Sequence, residues 1–187
     1  MTLLDSILNI FLGDKRKKDI KEVSPTVDSI LKNYAELNSI SNDDLRKITE
    51  NFKKDIKKLK KPFDDEINEI YELIKNSTDL DKNEDYYKKI EKKESIYLDE
   101  LDKYLQSILP KAFAVVKETT KRFKENNEII VEANDFDEKL SINKDYIKIE
   151  KNKSLWSNSW DAAGKSIVWD MIHYDVQLIG GVALHNG

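Results

Sequence analysis

The sequence predicts an α+β fold, with a mainly helical lead that carries an αα-hairpin, then a small β-rich segment and an apolar ending. Three observations lead there. Apolar residues recur at helical spacing from Leu3 to Phe123. The period then changes to short β-branched runs at Ile129–Val131 and Tyr146–Ile149. Composition shifts as well: Gly13 is the one glycine before Lys153, whereas all three Trp, the other four Gly and both His follow Leu155.

The chain is 187 residues long, with 32 Lys or Arg against 36 Asp or Glu, a net charge of -4. An absence of Cys excludes a disulfide framework and a cysteine zinc site. A 39% hydrophobic share is enough for a core despite 36% charged residues. Nucleic acid is a disfavoured partner, because there is no basic surplus and Arg occurs only at 16, 46 and 122. No apolar run approaches the ~20 residues that span a bilayer. The N-terminus lacks the pattern of a signal peptide, so the expected compartment is the cytoplasm.

Each element follows from its spacing. Leu3, Leu4, Ile7, Leu8 and Phe11 share one helical face, with Gly13 as C-cap and Lys15, Arg16, Lys17 and Lys18 directly after. Two readings stay open for this helix: an anchor lying on an anionic membrane surface, or a helix packed on its own domain. In the first, Leu4, Leu8, Phe11 and the four basic residues touch lipid. Ser24-Pro25 predicts a new helix start, with Val27, Ile30, Leu31, Tyr34 and Leu37 as its stripe. Ser41 to Asp44 resembles a capping box ahead of Leu45, Ile48, Phe52, Ile56 and Leu59, and Pro62 is expected to end that helix. The lysine-rich stretch from Lys53 to Lys61 reads as a solvated face, since no aromatic side chains alternate with the lysines.

Phe63, Ile67, Ile70 and Ile74, then Tyr87, Ile90, Tyr97, Leu101, Leu105 and Ile108, predict an αα-hairpin around a polar turn. Pro110 is expected to open another helix, with Phe113, Val116, Thr120 and Phe123 in register. A small antiparallel sheet is expected within 128–170, turning at Lys151-Asn152-Lys153.

Several tempting motifs fail on physical grounds. Ala163-Gly164-Lys165-Ser166 lacks the glycine five residues ahead of its Gly-Lys, where Ser159 stands. Asp79, Asp81 and Asn83 mimic half a calcium loop, but Glu84 and Ile90 occupy the positions that require Gly and Glu. His173 and His185 have no third ligand, and no nucleophile sits in a recognisable setting. The sequence therefore offers no catalytic and no metal-binding residues.

Two blocks are specific. Leu109-Pro110-Lys111-Ala112-Phe113-Ala114-Val115-Val116-Lys117-Glu118-Thr119 closely resembles the "PEAFAVVRE" helix of the SecA family, the ATP-driven motors of bacterial preprotein translocation. His173-Tyr174-Asp175-Val176-Gln177-Leu178-Ile179-Gly180-Gly181 looks like that family's "HFDVQLLGG" block. The early Ile40 to Arg46 is similar to its "LSDEEL" helix start, and the three occur in family order.

The resemblance implies an N-terminal helical region over 1–61, a helical hairpin insertion over 62–108 and a lead helix over 109–127. A β-rich insertion over 128–170 and the opening of a P-loop α/β nucleotide-binding domain over 171–187 complete it. The TGEGKT phosphate loop of the family would lie beyond Gly187, so ATP and its Mg²⁺ would need residues outside this chain, and the chain alone is expected to be inactive. Within it, the resemblance assigns the adenine end of ATP to Gln177. A primary amide presents donor and acceptor side by side, complementing the N6/N7 edge of adenine. Tyr174 could lie against the base and Met171 add an apolar contact. The competing reading makes Tyr174, Leu178 and Val182 a core stripe. Ile172 departs from the family, in which an Arg often follows the Met.

The resemblance further implies the SecYEG channel, unfolded preproteins and anionic phospholipid as partners. It places the protein in the cytoplasm and on the cytoplasmic side of the inner membrane, with homodimerisation of the full-length protein left open. A contrasting reading is a standalone helical interaction module that recruits partners to a membrane, using the 2–12 helix and the 62–108 hairpin.

Overall fold

A computed structural model describes the backbone from Leu3 to Gly187 and the side chains from residue 20 onward. The chain is mainly helical with small antiparallel sheets, an α+β arrangement. Helices α1 (Leu3–Leu37), α2 (Asn42–Lys75) and α3 (Leu80–Glu125) make up its first two thirds. Then come β1 (Glu128–Glu132), α4 (Asp135–Ser141), β2 (Ile147–Glu150), β3 (Lys153–Ser157), β4 (Ser159–Ala162), β5 (Lys165–Val168) and α5 (Asp175–Asn186).

The three long helices correct the expected boundaries. Gly13 does not end a helix, and Pro25, Pro62 and Pro110 all lie inside helices rather than at their starts or ends. An interior proline loses one backbone hydrogen bond, which costs ~3 kcal/mol. At Pro25 apolar burial on both sides outweighs that loss. Val23, Val27 and Ile30 flank Pro25 and are 8%, 6% and 0% exposed. At the second N-terminus the expectation holds: Ser41 Oγ accepts from Asp44 N at 3.0 Å and caps α2.

The chain divides into two compact units. One comprises Met1–Leu45 with Pro110–Gly187, the other Arg46–Leu109. The second unit is an αα-hairpin turning at residues 76–79, with Ile70 and Ile90 buried and the Phe63 and Tyr97 rings 5.5 Å apart. Its register is also marked by the Lys93–Glu66 ion pair and by Tyr104 Oη donating to Asp55 at 3.4 Å.

In the first unit, α5 packs on α1, and Val23, Val27, Ile30, Ala114, Val115, Leu178 and Val182 form the core. Val116, expected in the apolar stripe, is instead 53% exposed, because the buried face of α3 runs through Ala114, Val115, Lys117, Glu118 and Thr120. Strands β1, β3 and β2 form one antiparallel sheet in that spatial order, with Trp156 of β3 opposite both Ile129 and Ile147. The Phe136 and Tyr146 rings lie 6.5 and 6.4 Å from Trp156.

Helix α4 was not anticipated from the sequence. Asn134 Oδ1 accepts from Phe136 N and Asp137 N, while Asp137 returns a bond to Asn134 N. Ser154 Oγ donates to the buried Asp137 at 2.7 Å and ties this cap to β3. Strands β4 and β5 form a separate hairpin whose two-residue loop is Ala163-Gly164, with φ of 53° and 79°. Positive φ at both positions matches the twist of a tight hairpin. The Ala-Gly-Lys-Ser run is thus a hairpin loop followed by the start of β5, with Gly164 N bonded to Asp161 Oδ1 at 3.0 Å.

Candidate functional site

The residues singled out by sequence converge on the entry to α5. Met171, Ile172 and His173 form an irregular approach, and Tyr174 is the extended N-cap at φ -77° and ψ 158°. Tyr174 therefore precedes the helix rather than sharing its face, and its side chain is 72% exposed. Leu178 and Val182, at 2% and 1% exposure, supply the buried stripe. Tyr174 is consequently separate from the core, and the three-residue apolar stripe weighed above is reduced to two.

Gln177 stands in the first turn, exposed. Its Oε1 accepts a hydrogen bond from Tyr174 N at 2.8 Å, satisfying one of the amide donors that a helix start leaves unpaired. Met171 is 37% exposed, and its carbonyl accepts from Trp169 Nε1 at 2.8 Å. All three residues lie on one short segment with open surface at Tyr174 and Gln177.

Helix α3 holds that segment from beneath. Lys117, 7% exposed, donates its ammonium to the His173 carbonyl and lies 3.7 Å from Asp175 Oδ1. The same ammonium is 5.3 Å from the centre of the Tyr34 ring on α1. Thr120 Oγ1 is 3.3 Å from His173 Nδ1. Burial pushes the Tyr34 hydroxyl above its ordinary pKa of 10.0, and the carboxylates of Glu118 and Glu125 push it the same way. Lys117 and Tyr34 were not read as site residues. The signal for Lys117 was its place in the specific 109–119 block.

A second network anchors the helices around this site. Arg122 Nε donates to Glu118 Oε1 at 2.8 Å, and its two terminal nitrogens reach Asn42 Oδ1 at 2.8 Å and the Leu37 and Ile40 carbonyls at 3.0 Å. One guanidinium thereby fastens the α1–α2 turn to α3, a task suited to its planar fork.

Other features lie elsewhere. An open groove of about 350 Å³ lies on the sheet side, lined among others by Tyr146, Trp160, Glu128 and Asp145, and includes none of Met171, Tyr174 or Gln177. Among the described residues no acidic, His or Cys group is arranged to hold a metal ion. No helix among them is long and apolar enough to cross a membrane. The side chains of Leu4, Leu8, Phe11, Lys15, Arg16, Lys17 and Lys18 lie outside the described residues.

Comparison with known proteins extends the picture. The family model of the SecA DEAD-like domain matches residues 8–187. A protein translocase subunit SecA of Christiangramia forsetii is 44% identical over 187 residues, all of this chain and 17% of that protein. Its counterpart in Flavobacterium psychrophilum is 45% identical over the same span and share. That of Bacteroides fragilis is 42% identical over 183 residues, 98% of this chain and 16% of the relative. No solved structure matches the chain at a significant level. The chain thus spans about a sixth of the length of these relatives.

Proposed function

Because the chain belongs to the SecA family, we propose that it forms the opening part of an ATP-driven protein translocase and carries the segment that reads the adenine of ATP. The observation that supports this most is Gln177. Its amide is solvent-facing at a helix start, with its carbonyl oxygen already oriented by Tyr174 N. A carbonyl oxygen has a second lone pair and the amide nitrogen two protons, so both an N6–H donor and an N7 acceptor can be met. The exposed Tyr174 ring is available to lie against a base, and Met171 to add an adaptable apolar contact.

In this reading, residues 171–187 open a P-loop α/β nucleotide-binding domain, and the phosphate loop and Mg²⁺ ligands lie beyond Gly187. ATP and Mg²⁺, once bound, supply phosphoryl transfer; the residues of this chain bind and orient the base. The 62–108 hairpin and the 128–170 β-rich part are modules inserted around that lead. The full-length protein would drive unfolded preproteins through the SecYEG channel from the cytoplasmic side of the inner membrane. Leu4, Leu8, Phe11 and the basic residues 15–18 would touch anionic lipid. The standalone interaction module is the weaker reading, since the family match runs on through α5 rather than ending with the hairpin.

The test is ATP turnover by the purified 187-residue chain. No turnover is expected, because the sequence contains no Gly-x-x-x-x-Gly-Lys-Ser/Thr loop to hold the β- and γ-phosphates. Sustained hydrolysis would overturn the division of labour proposed here.

A further inference from the structure

We infer that Lys117 is a positioning residue for base recognition, acting through the His173–Tyr174 peptide to fix which way round the Gln177 amide stands. This rests on the reading of Gln177 as the adenine reader.

The geometry is a relay across one rigid peptide plane. Lys117 donates to the His173 carbonyl on one edge of that plane. On the opposite edge, the Tyr174 N–H donates to Gln177 Oε1 at 2.8 Å. An ammonium on the carbonyl polarises the peptide and makes its N–H a stronger donor. The two ends of a primary amide are nearly the same size, so a free Gln side chain swaps donor and acceptor by a half turn. A strong N–H at Tyr174 permits only one orientation, with Oε1 inward and Nε2 as the free donor.

That orientation decides between bases. Adenine offers an amino group at C6, which Oε1 can accept, and N7, to which Nε2 can donate. Guanine offers O6 in place of the amino group, so a fixed Oε1 would face another acceptor. A freely turning amide could suit either.

The surroundings of Lys117 fit a dedicated role. It is buried against the Tyr34 ring of α1, paired with Asp175 on α5 and neighboured on α3 by Thr120, which itself reaches His173 Nδ1. A lysine costs free energy to bury, and its hydrogen-bond and ion-pair partners, the His173 carbonyl and Asp175, both lie on the segment that leads into Gln177.

The experiment measures KM and kcat of the full-length protein for ATP and for GTP. Lys117→Met should lower the ATP-over-GTP preference roughly fivefold to tenfold, what one hydrogen bond of ordinary strength contributes. The change should fall in KM, with kcat at saturating ATP within about twofold of the parent. Lys117→Arg, which keeps a cationic donor, should restore the preference. In a Gln177→Ala background Lys117→Met should change nothing further, because the relay has lost its end.

Equal loss for both nucleotides, or a selectivity shift that persists without Gln177, would overturn the relay. If Gln177→Ala lowers the preference and Lys117→Met does not, base reading stands and the role of Lys117 falls. If Gln177→Ala leaves the preference intact, both fall. Should Lys117→Met fail to fold, Thr120→Val supplies the second variant. It should shift selectivity in the same direction by a smaller factor, and no shift would count against the relay.

Discussion

Gly181 of α5 lies directly against the Phe113 ring of α3: a β-carbon added to the glycine would stand 2.5 Å from Phe113 Cε1. The neighbouring Gly180 has nothing within 4 Å of the same added atom. The two glycines therefore do different things. Gly181 allows the helix that carries Gln177 to approach the helix that carries Lys117, and Gly180 has no packing role in this unit.

Substitution should separate them. Gly181→Ala should destabilise the chain by about 1–3 kcal/mol, the usual cost of forcing a methyl group into a filled contact. Gly180→Ala should be neutral or stabilise by roughly 0.5–1 kcal/mol, since alanine is the better helix former. Urea unfolding of the two variants checks the contrast. Equal effects would show that α5 does not rest on Phe113 as described.

Arg122→Ala should be among the most damaging single changes. It leaves Glu118, 2% exposed, without its 2.8 Å partner, and removes the guanidinium bonds to the Leu37 and Ile40 carbonyls. Loss of one member of a buried pair costs about 3–5 kcal/mol. Arg122→Lys should recover only part, because one ammonium cannot reach four acceptors. Denaturant midpoints of both variants give the answer, and full recovery by Lys would remove the fork from the explanation.

The Tyr34 hydroxyl gives a pH dependence with a definite sign. Its pKa is raised in the folded state, first by burial and then by Glu118 and Glu125, so the folded chain holds the phenolic proton more tightly than the unfolded chain. That contribution is fully present below the ordinary value of 10.0 and is lost as pH rises through the folded-state value. Unfolding midpoints measured on either side of pH 10 should therefore fall more steeply for the parent than for Tyr34→Phe. Identical slopes would contradict the assignment.

For the first helix the prediction concerns lipid. A peptide of residues 1–20 should bind vesicles containing anionic phospholipid and release them as salt rises, because charge screening weakens the contribution of Lys15, Arg16, Lys17 and Lys18. Binding that ignores salt, or none at low salt, would leave that helix to packing alone.

Much of this architecture was legible in the residues. Apolar spacing marked the hairpin, Ser41 marked the start of α2, and the change of period after Asn127 marked the sheets. The prolines misled, since local geometry argues for a break at each, while burial before and after Pro25 holds one continuous helix. Helix α4 carried its signal openly in Asn134 and Asp137, but it is short and lies among strands. At the proposed site, Gln177 was singled out by its block alone. The Lys117–His173 bond could not be read, because it joins residues 56 positions apart and depends on how α5 settles on α3.

The central claim is that Gln177 meets the adenine, and the most direct measurement is a structure of the full-length protein bound to ADP. The account predicts Gln177 Oε1 and Nε2 within about 3 Å of adenine N6 and N7, with Oε1 still bonded to Tyr174 N. A base bound elsewhere, with Gln177 facing solvent as before, would contradict it.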